Sequence, residues 1–262
     1  MDADNVTPRA PDIRSVRTAG TRISAPERPN AAGVGAATLE YSETLDTLLL
    51  LERLAASLYY TALTSPAVMH NPALGGPSAN PNNPGLPPGG NPAQVRYLQA
   101  ALDAEVKHAD LLTGLGARST VERFYFPAVM FTRLGSPLDR ASFLGALDML
   151  ETVCVGAYAA AAVSFARLGR LDLAGMAAEI MGVESEHRTL GRVIGVVLPA
   201  NNHTLETAPF DAVTQAADAV RPFVTGQRFL FAAGPVRAIA VPSRSQTAWA
   251  IGKHGTRFVR KY

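Results

Sequence analysis

Four segments of this chain keep an apolar stripe at helical spacing, and each stripe contains a glutamate. Leu45, Leu48, Leu49, Ala55, Ala56, Tyr59 and Leu63 mark a first helix over about 38–63, with Glu52 three and four residues beyond Leu49 and Leu48. A second helix is expected over about 93–113, where Glu105 holds the same offsets from Leu102 and Ala101. An Ala-rich third covers about 138–168 and a fourth about 172–198; Glu151 follows Leu147 by four, and Glu184 follows Ile180 by four. A carboxylate taken into an apolar core is strongly penalised unless a cation or a donor compensates it. Four at matching depth require a shared positive charge, and no Lys or Arg is expected in the same stripes to supply it.

The histidines narrow the reading. Of five, His108 and His187 each follow a glutamate by three residues, whereas eleven glutamates in 262 positions give only about 0.2 such pairs by chance. Residues three apart share a helix face, so each Glu-x-x-His can ligate one ion or two neighbouring ions. One glutamate from each of two helices, with Glu-x-x-His from each of the other two, is the ligand pattern of a two-metal centre inside a four-helix bundle. Here Glu52 and Glu151 are the single carboxylates, and Glu105/His108 and Glu184/His187 are the pairs. The layout is also duplicated, because Tyr59 follows Glu52 by seven and Tyr158 follows Glu151 by seven. Seven residues are two helical turns, which aims each phenol at the same core, where it can donate to a carboxylate on the facing helix.

The rest of the chain frames this bundle. Residues 1–36 are expected as an irregular arm, 37–225 as the bundle, and 226–262 as a basic tail. Residues 65–92 hold eight Pro, five Gly and five Asn and are expected as a long loop inserted between the first two helices. Residues 114–136 are long enough to run the length of a bundle as a crossover, and a shorter helix follows at about 210–220. Gly156, Gly182 and Gly191 are expected to allow close helix approach. The tail has β-leaning pieces such as Val236 to Val241. A single cysteine, Cys154, excludes a disulfide framework and a Cys-rich metal site, and is expected to be a packing residue.

The bundle resembles the ferritin-like superfamily of di-metal carboxylate proteins. The finer pattern is similar to its stand-alone ferritin-like domain branch, which includes desiccation-related proteins. That closer likeness rests on Phe124-Tyr125-Phe126-Pro127, on Leu150-Glu151 through Ala157-Tyr158, on Val183-Glu184-Ser185-Glu186-His187, and on the helix after Ala208 to Asp211. It covers roughly residues 38–225. The implied fold is an all-α, ferritin-like four-helix bundle with a long crossover, an extra short C-terminal helix and irregular terminal arms. The 65–92 loop departs from the family's usual connection.

The resemblance implies two iron ions, or alternatively two manganese ions, held by Glu52, Glu105, His108, Glu151, Glu184 and His187. Glu105 and Glu184 would bridge the ions and each histidine would cap one, with Tyr59 and Tyr158 behind the carboxylates. The implied activity is a ferroxidase- or peroxidase-like reaction with dioxygen or peroxide. The alternatives are a manganese catalase-like enzyme and a structural or assembly protein built on the bundle. Met1 to Asn30 lacks the apolar core of an export signal, so a cytoplasmic protein is expected. No apolar run is expected to approach a membrane span. After Asp218 the chain has eight Lys/Arg and no acid. The apolar side chains of that tail favour an arm that contacts another copy in a homo-oligomer, with nucleic acid as the alternative partner.

Overall fold

The computed structural model describes residues 31–74, 92–201, 209–227 and 229–252, with only the backbone described at 31–37 and 92. Four long helices form the bundle: α1 (Ala31–Leu63), α3 (Pro92–Gly114), α4 (Phe143–Arg167) and α5 (Leu171–Ile194). The main packing pairs are α1 with α3 and α4 with α5. Contacts of α1 with α4 and of α3 with α5 close the bundle around one core. The expected all-α bundle is present, with one two-stranded sheet beside it among the described residues. Residues 31–36, expected within the N-terminal arm, are the first turns of α1; residues 1–30 lie outside the described region.

Local chemistry sets the helix limits. α4 starts at Phe143, five residues later than its apolar period suggests. The Ser142 hydroxyl accepts the Gly145 N–H as an N-cap, and the preceding chain folds into a turn held by Asp139. Gly145 packs against the Asp139 carbonyl with no space for a Cβ. Gly169, at a positive φ of 73°, ends α4, and the Arg170 N–H reaches back to the Phe165 carbonyl. α5 stops at Ile194 and not near Leu198, because Gly195 is pressed against Pro137 and Leu144 and Val196 turns to φ 56°. Among the glycines expected at close approaches, Gly156 meets Pro209 and Phe210 and Gly191 meets Leu147, while Gly182 faces open space.

The connections do more than span distance. The start of the Pro-rich insertion is ordered: a one-turn helix, α2 (Pro66–Met69), buries Val68 and Met69, and Leu74 is buried beyond it. Residues 75–91 of that insertion lie outside the described region. The crossover carries β1 (Arg123–Pro127) and a 3-10 turn at Ala128–Phe131. The short helix α6 (Val213–Thr225) extends past its expected end to Gly226, which seats against the Tyr125 ring.

The basic tail folds back on its own chain. β2 (Val236–Ala240) pairs antiparallel with β1, from Arg123 opposite Ala240 to Pro127 opposite Val236. Phe126, Phe131, Phe223 and Phe229 form edge contacts with centroids 4.9–5.5 Å apart, joining crossover, α6 and tail. Then α7 (Arg244–Ile251), opened by a Ser243/Gln246 capping box, packs on α3, where Gln99 Nε2 donates to the buried Ala250 carbonyl at 2.9 Å. Of the tail's apolar side chains, Phe229, Ile239, Ala250 and Ile251 are buried within the chain. By length and composition alone, α4 is long and apolar enough to cross a membrane. It carries Glu151 in its centre and packs on α1, α5 and α6.

Candidate metal centre

Each long helix delivers its glutamate to one point in the core. Glu52, Glu105, Glu151 and Glu184 are all fully buried, and His108 and His187 are nearly so, at 8% and 6% exposed. Among the described residues they fall into two groups that could each hold a metal ion. One is Glu52, Glu105, His108 and Glu184; the other is Glu105, Glu151, Glu184 and His187, with ligand atoms within 4.8 Å of one another in each group. Glu105 and Glu184 belong to both. Glu105 and Glu184 could therefore serve both of two ions, with Glu52/His108 and Glu151/His187 available to hold one ion each.

The contacts follow the same division. His108 Nδ1 lies 3.3 Å from Glu52 Oε2 and 3.1 Å from Glu184 Oε1. His187 Nδ1 lies 2.8 Å from Glu105 Oε1 and 3.4 Å from Glu184 Oε2. None of these approaches has the alignment of a hydrogen bond. Glu52 Oε2, both oxygens of Glu105 and of Glu184, Glu151 Oε2 and the two histidine Nδ1 atoms are buried without a hydrogen-bond partner. Eight orphaned polar atoms converging on one point are costly in an apolar interior. A pair of divalent cations would satisfy them and would balance four carboxylate charges. Hard oxygens with two imidazole nitrogens suit iron or manganese, so the donor set fits the centre that the sequence implies.

The tyrosines cross over between the halves. Tyr59 from α1 donates to Glu151 Oε1 on α4 at 2.6 Å, and Tyr158 from α4 donates to Glu52 Oε1 on α1. Each phenol thus holds the outer oxygen of the single carboxylate on the facing helix and leaves the other oxygen turned inward. Burial, together with the neighbouring carboxylates, pushes both phenols well above their ordinary pKa, so they remain donors.

Without cations, protons take over the compensating role. Burial and the charges of Glu184 and Glu52 raise Glu105 well above the usual carboxylate range; burial, Glu105 and Glu184 do the same to Glu151. Burial works to raise Glu184 too, but the flanking His108 and His187 imidazoles outweigh it and hold this carboxyl low. Burial alone would lower the histidines. The surrounding carboxylates reverse this, raising His108 strongly and His187 to about 9.

The six expected ligand positions and both tyrosines come together at this site. One expectation about the stripes fails: Arg188, four residues beyond Glu184, is buried at 4% exposure. The same i+4 offset that located the glutamates would have located it. Cys154 is buried, and burial followed by the charge of Glu151 pushes its thiol well above the ordinary value, as suits an inert packing residue. Glu186 is exposed and His70 lies on the surface. His203 and His254 lie outside the described residues.

A family model described as a ferritin-like domain matches residues 40–194, more than half of the chain and all six of these positions. No curated protein matches, and no solved structure matches. Helical order, a long crossover and a shared Glu/His cluster in the core agree with the match, and the chain belongs to the ferritin-like domain family.

Proposed function

We propose that this protein binds two iron ions, with manganese as the alternative, and acts as an oxidoreductase on dioxygen or peroxide. The observation that carries the proposal is the sharing of Glu105 and Glu184 between two buried ligand groups. Glu52 and His108 would hold one ion, Glu151 and His187 the other, and the two shared carboxylates both. When bound, such a pair supplies the electrons for reduction of dioxygen or peroxide.

The chain's own residues set the conditions for that chemistry. Tyr158 and Tyr59 fix Glu52 and Glu151, so that each presents one oxygen inward. Leu48, Leu102, Leu147 and Ile180, each three or four residues before a ligand glutamate, are buried and make the surroundings of the cluster apolar. Glu105, Glu151, His108 and His187 hold protons in the cation-free protein and release them on loading, which makes affinity rise with pH. The His108 side chain, 10% exposed, is the most accessible of the six and marks the open side of the cluster.

The finer kinship with the branch that includes desiccation-related proteins belongs to the same proposal, as does self-association. Exposed Leu230 and Trp249 support the latter, and mass in solution tests it.

Metal analysis of full-length protein from cells supplied with both iron and manganese tests the function. The expected result is two ions of one element per chain, followed by consumption of dioxygen or peroxide by the loaded protein. Fewer than one tightly bound ion after reconstitution would overturn the reading. Two manganese ions with peroxide disproportionation would select the catalase-like alternative.

A further inference from the structure

A cleft lies outside the metal cluster, on the flank of the α1–α3 hairpin where the tail crosses it. Its volume is about 420 Å³, within the size range of small-molecule sites. Its floor is apolar: Leu49 and Ala56 from α1, Val106 and Ala109 from α3, with Val241 as the tail wall. None of these is a ligand position, although Leu49 and Ala56 lie one helical turn from Glu52, and Val106 and Ala109 adjoin Glu105 and His108 in sequence.

Charge is concentrated at the rim. The lining includes three arginines, Arg53, Arg118 and Arg244, and one carboxylate, Asp110, while Glu122 and Asp46 approach Arg53 and Arg118 from outside it. Arg244 pairs with Asp110. The half-buried Arg53 donates from Nη1 to the Ser119 carbonyl at 3.0 Å; burial works against its charge, and Glu122 offsets this only in part. Arg118 gives its backbone N–H to Asp46 Oδ1, and its guanidinium makes no hydrogen bond or ion pair among the described residues. An apolar trough with one unengaged guanidinium at its mouth, and a second partly desolvated beside it, matches a molecule with a single negative head and an aliphatic body. A phosphate-like dianion would need more free positive charge than this rim offers.

We propose that the cleft binds a small amphiphilic carboxylate, its head at Arg118 and Arg53 and its aliphatic chain along the α1–α3 floor under the tail. Arg118 reads the charge by a bidentate, charge-assisted contact, and the floor reads chain length.

Calorimetric titration of the full-length protein with octanoate tests this, with hexanoate, 1-octanol, acetate and inorganic phosphate as comparisons. Octanoate should bind once per chain, about tenfold or more tighter than octanol or acetate. Hexanoate should be weaker by up to about fourfold for each methylene removed. Arg118→Glu, on an exposed loop, should weaken octanoate about tenfold or more at an unchanged melting temperature. Thr113→Trp, at the exposed rim, should block the cleft and abolish binding. Equal affinity for octanol and octanoate would reduce the site to a greasy patch and overturn the proposal. So would tighter binding of phosphate, insensitivity to Arg118→Glu, or no saturable octanoate binding.

Discussion

Replacing Glu105 by Gln separates the two roles of a buried bridging carboxylate. In the cation-free protein Glu105 is pushed far toward its neutral form by burial and by Glu184 and Glu52, and neither oxygen has a hydrogen-bond partner. Glutamine keeps its shape and adds no charge, so cation-free stability should change by no more than about 1 kcal/mol in either direction. The loaded protein behaves differently. At a thousandfold excess over the dissociation constant each ion contributes about 4 kcal/mol by mass action, roughly 8 kcal/mol for two. At about 2–4 °C per kcal/mol for a domain of this size, wild-type protein should melt some 15–30 °C higher when loaded. Because Glu105 belongs to both ligand groups, its loss weakens both ions, and the increment should fall below half. Thermal melts with and without saturating Fe(II) or Mn(II), alongside metal counts, read this directly. A loss above about 3 kcal/mol in the cation-free variant would mean that Glu105 is ionised and paired there. A variant with the full wild-type increment would mean that Glu105 touches no ion. Either result refutes the reasoning.

The remaining expectations are shorter. His187, raised to about 9, stabilises the cation-free fold fully below its unfolded value near 6.5 and loses that contribution as pH rises through 9; Glu105 and Glu151, also raised, act in the same direction. The cation-free melting temperature should therefore fall between pH 6.5 and 9 while the metal increment grows, and a pH-independent increment would contradict this. Tyr59→Phe and Tyr158→Phe should each cost about 1–3 kcal/mol in urea denaturation, because each leaves a buried carboxylate oxygen without its donor. The two losses should be similar, and no measurable loss in either would count against the crossed arrangement. Truncation after Arg228 uncovers Phe126 and Phe223 and removes buried Phe229, Ile239 and Ile251. At roughly 1.5–3 kcal/mol per large side chain, the loss should reach about 5 kcal/mol, and an unchanged urea midpoint would show that the tail adds nothing to the fold.

The metal cluster was legible because its requirements are local. A glutamate three or four residues from a leucine, and a histidine three beyond the glutamate, state a direction on a helix, and four such directions can meet in only one place. The tyrosines were legible for the same reason, since a seven-residue offset fixes a face. What escaped depends on contacts between distant segments. The start of α4 is set by Ser142 and by the fit of Gly145 against Asp139, while the period of its apolar residues runs on upstream. The end of α5 is set by Pro137 under Gly195. The tail read correctly as β-leaning at Val236 to Val241, but its partner, Phe124-Tyr125-Phe126, lies in another part of the chain and no local pattern links them. Arg188 is the exception: its offset of four from Glu184 places it on the buried face by the same local rule.

The pairing of β1 with β2 also dictates an order of events at the ribosome. The two strands are more than one hundred residues apart in sequence, so closing that loop carries a high entropic cost and comes late. All four ligand-bearing helices have been synthesised by Ile194, and the strand that covers β1 emerges only some forty residues afterwards. Until then the Arg123–Pro127 edge, with Phe124 and Phe126, is an uncovered hydrophobic strand and a template for wrong partners. The tail thus acts as a seal applied after the centre is assembled, and a nascent chain stalled before Val236 presents a complete ligand set on an aggregation-prone body.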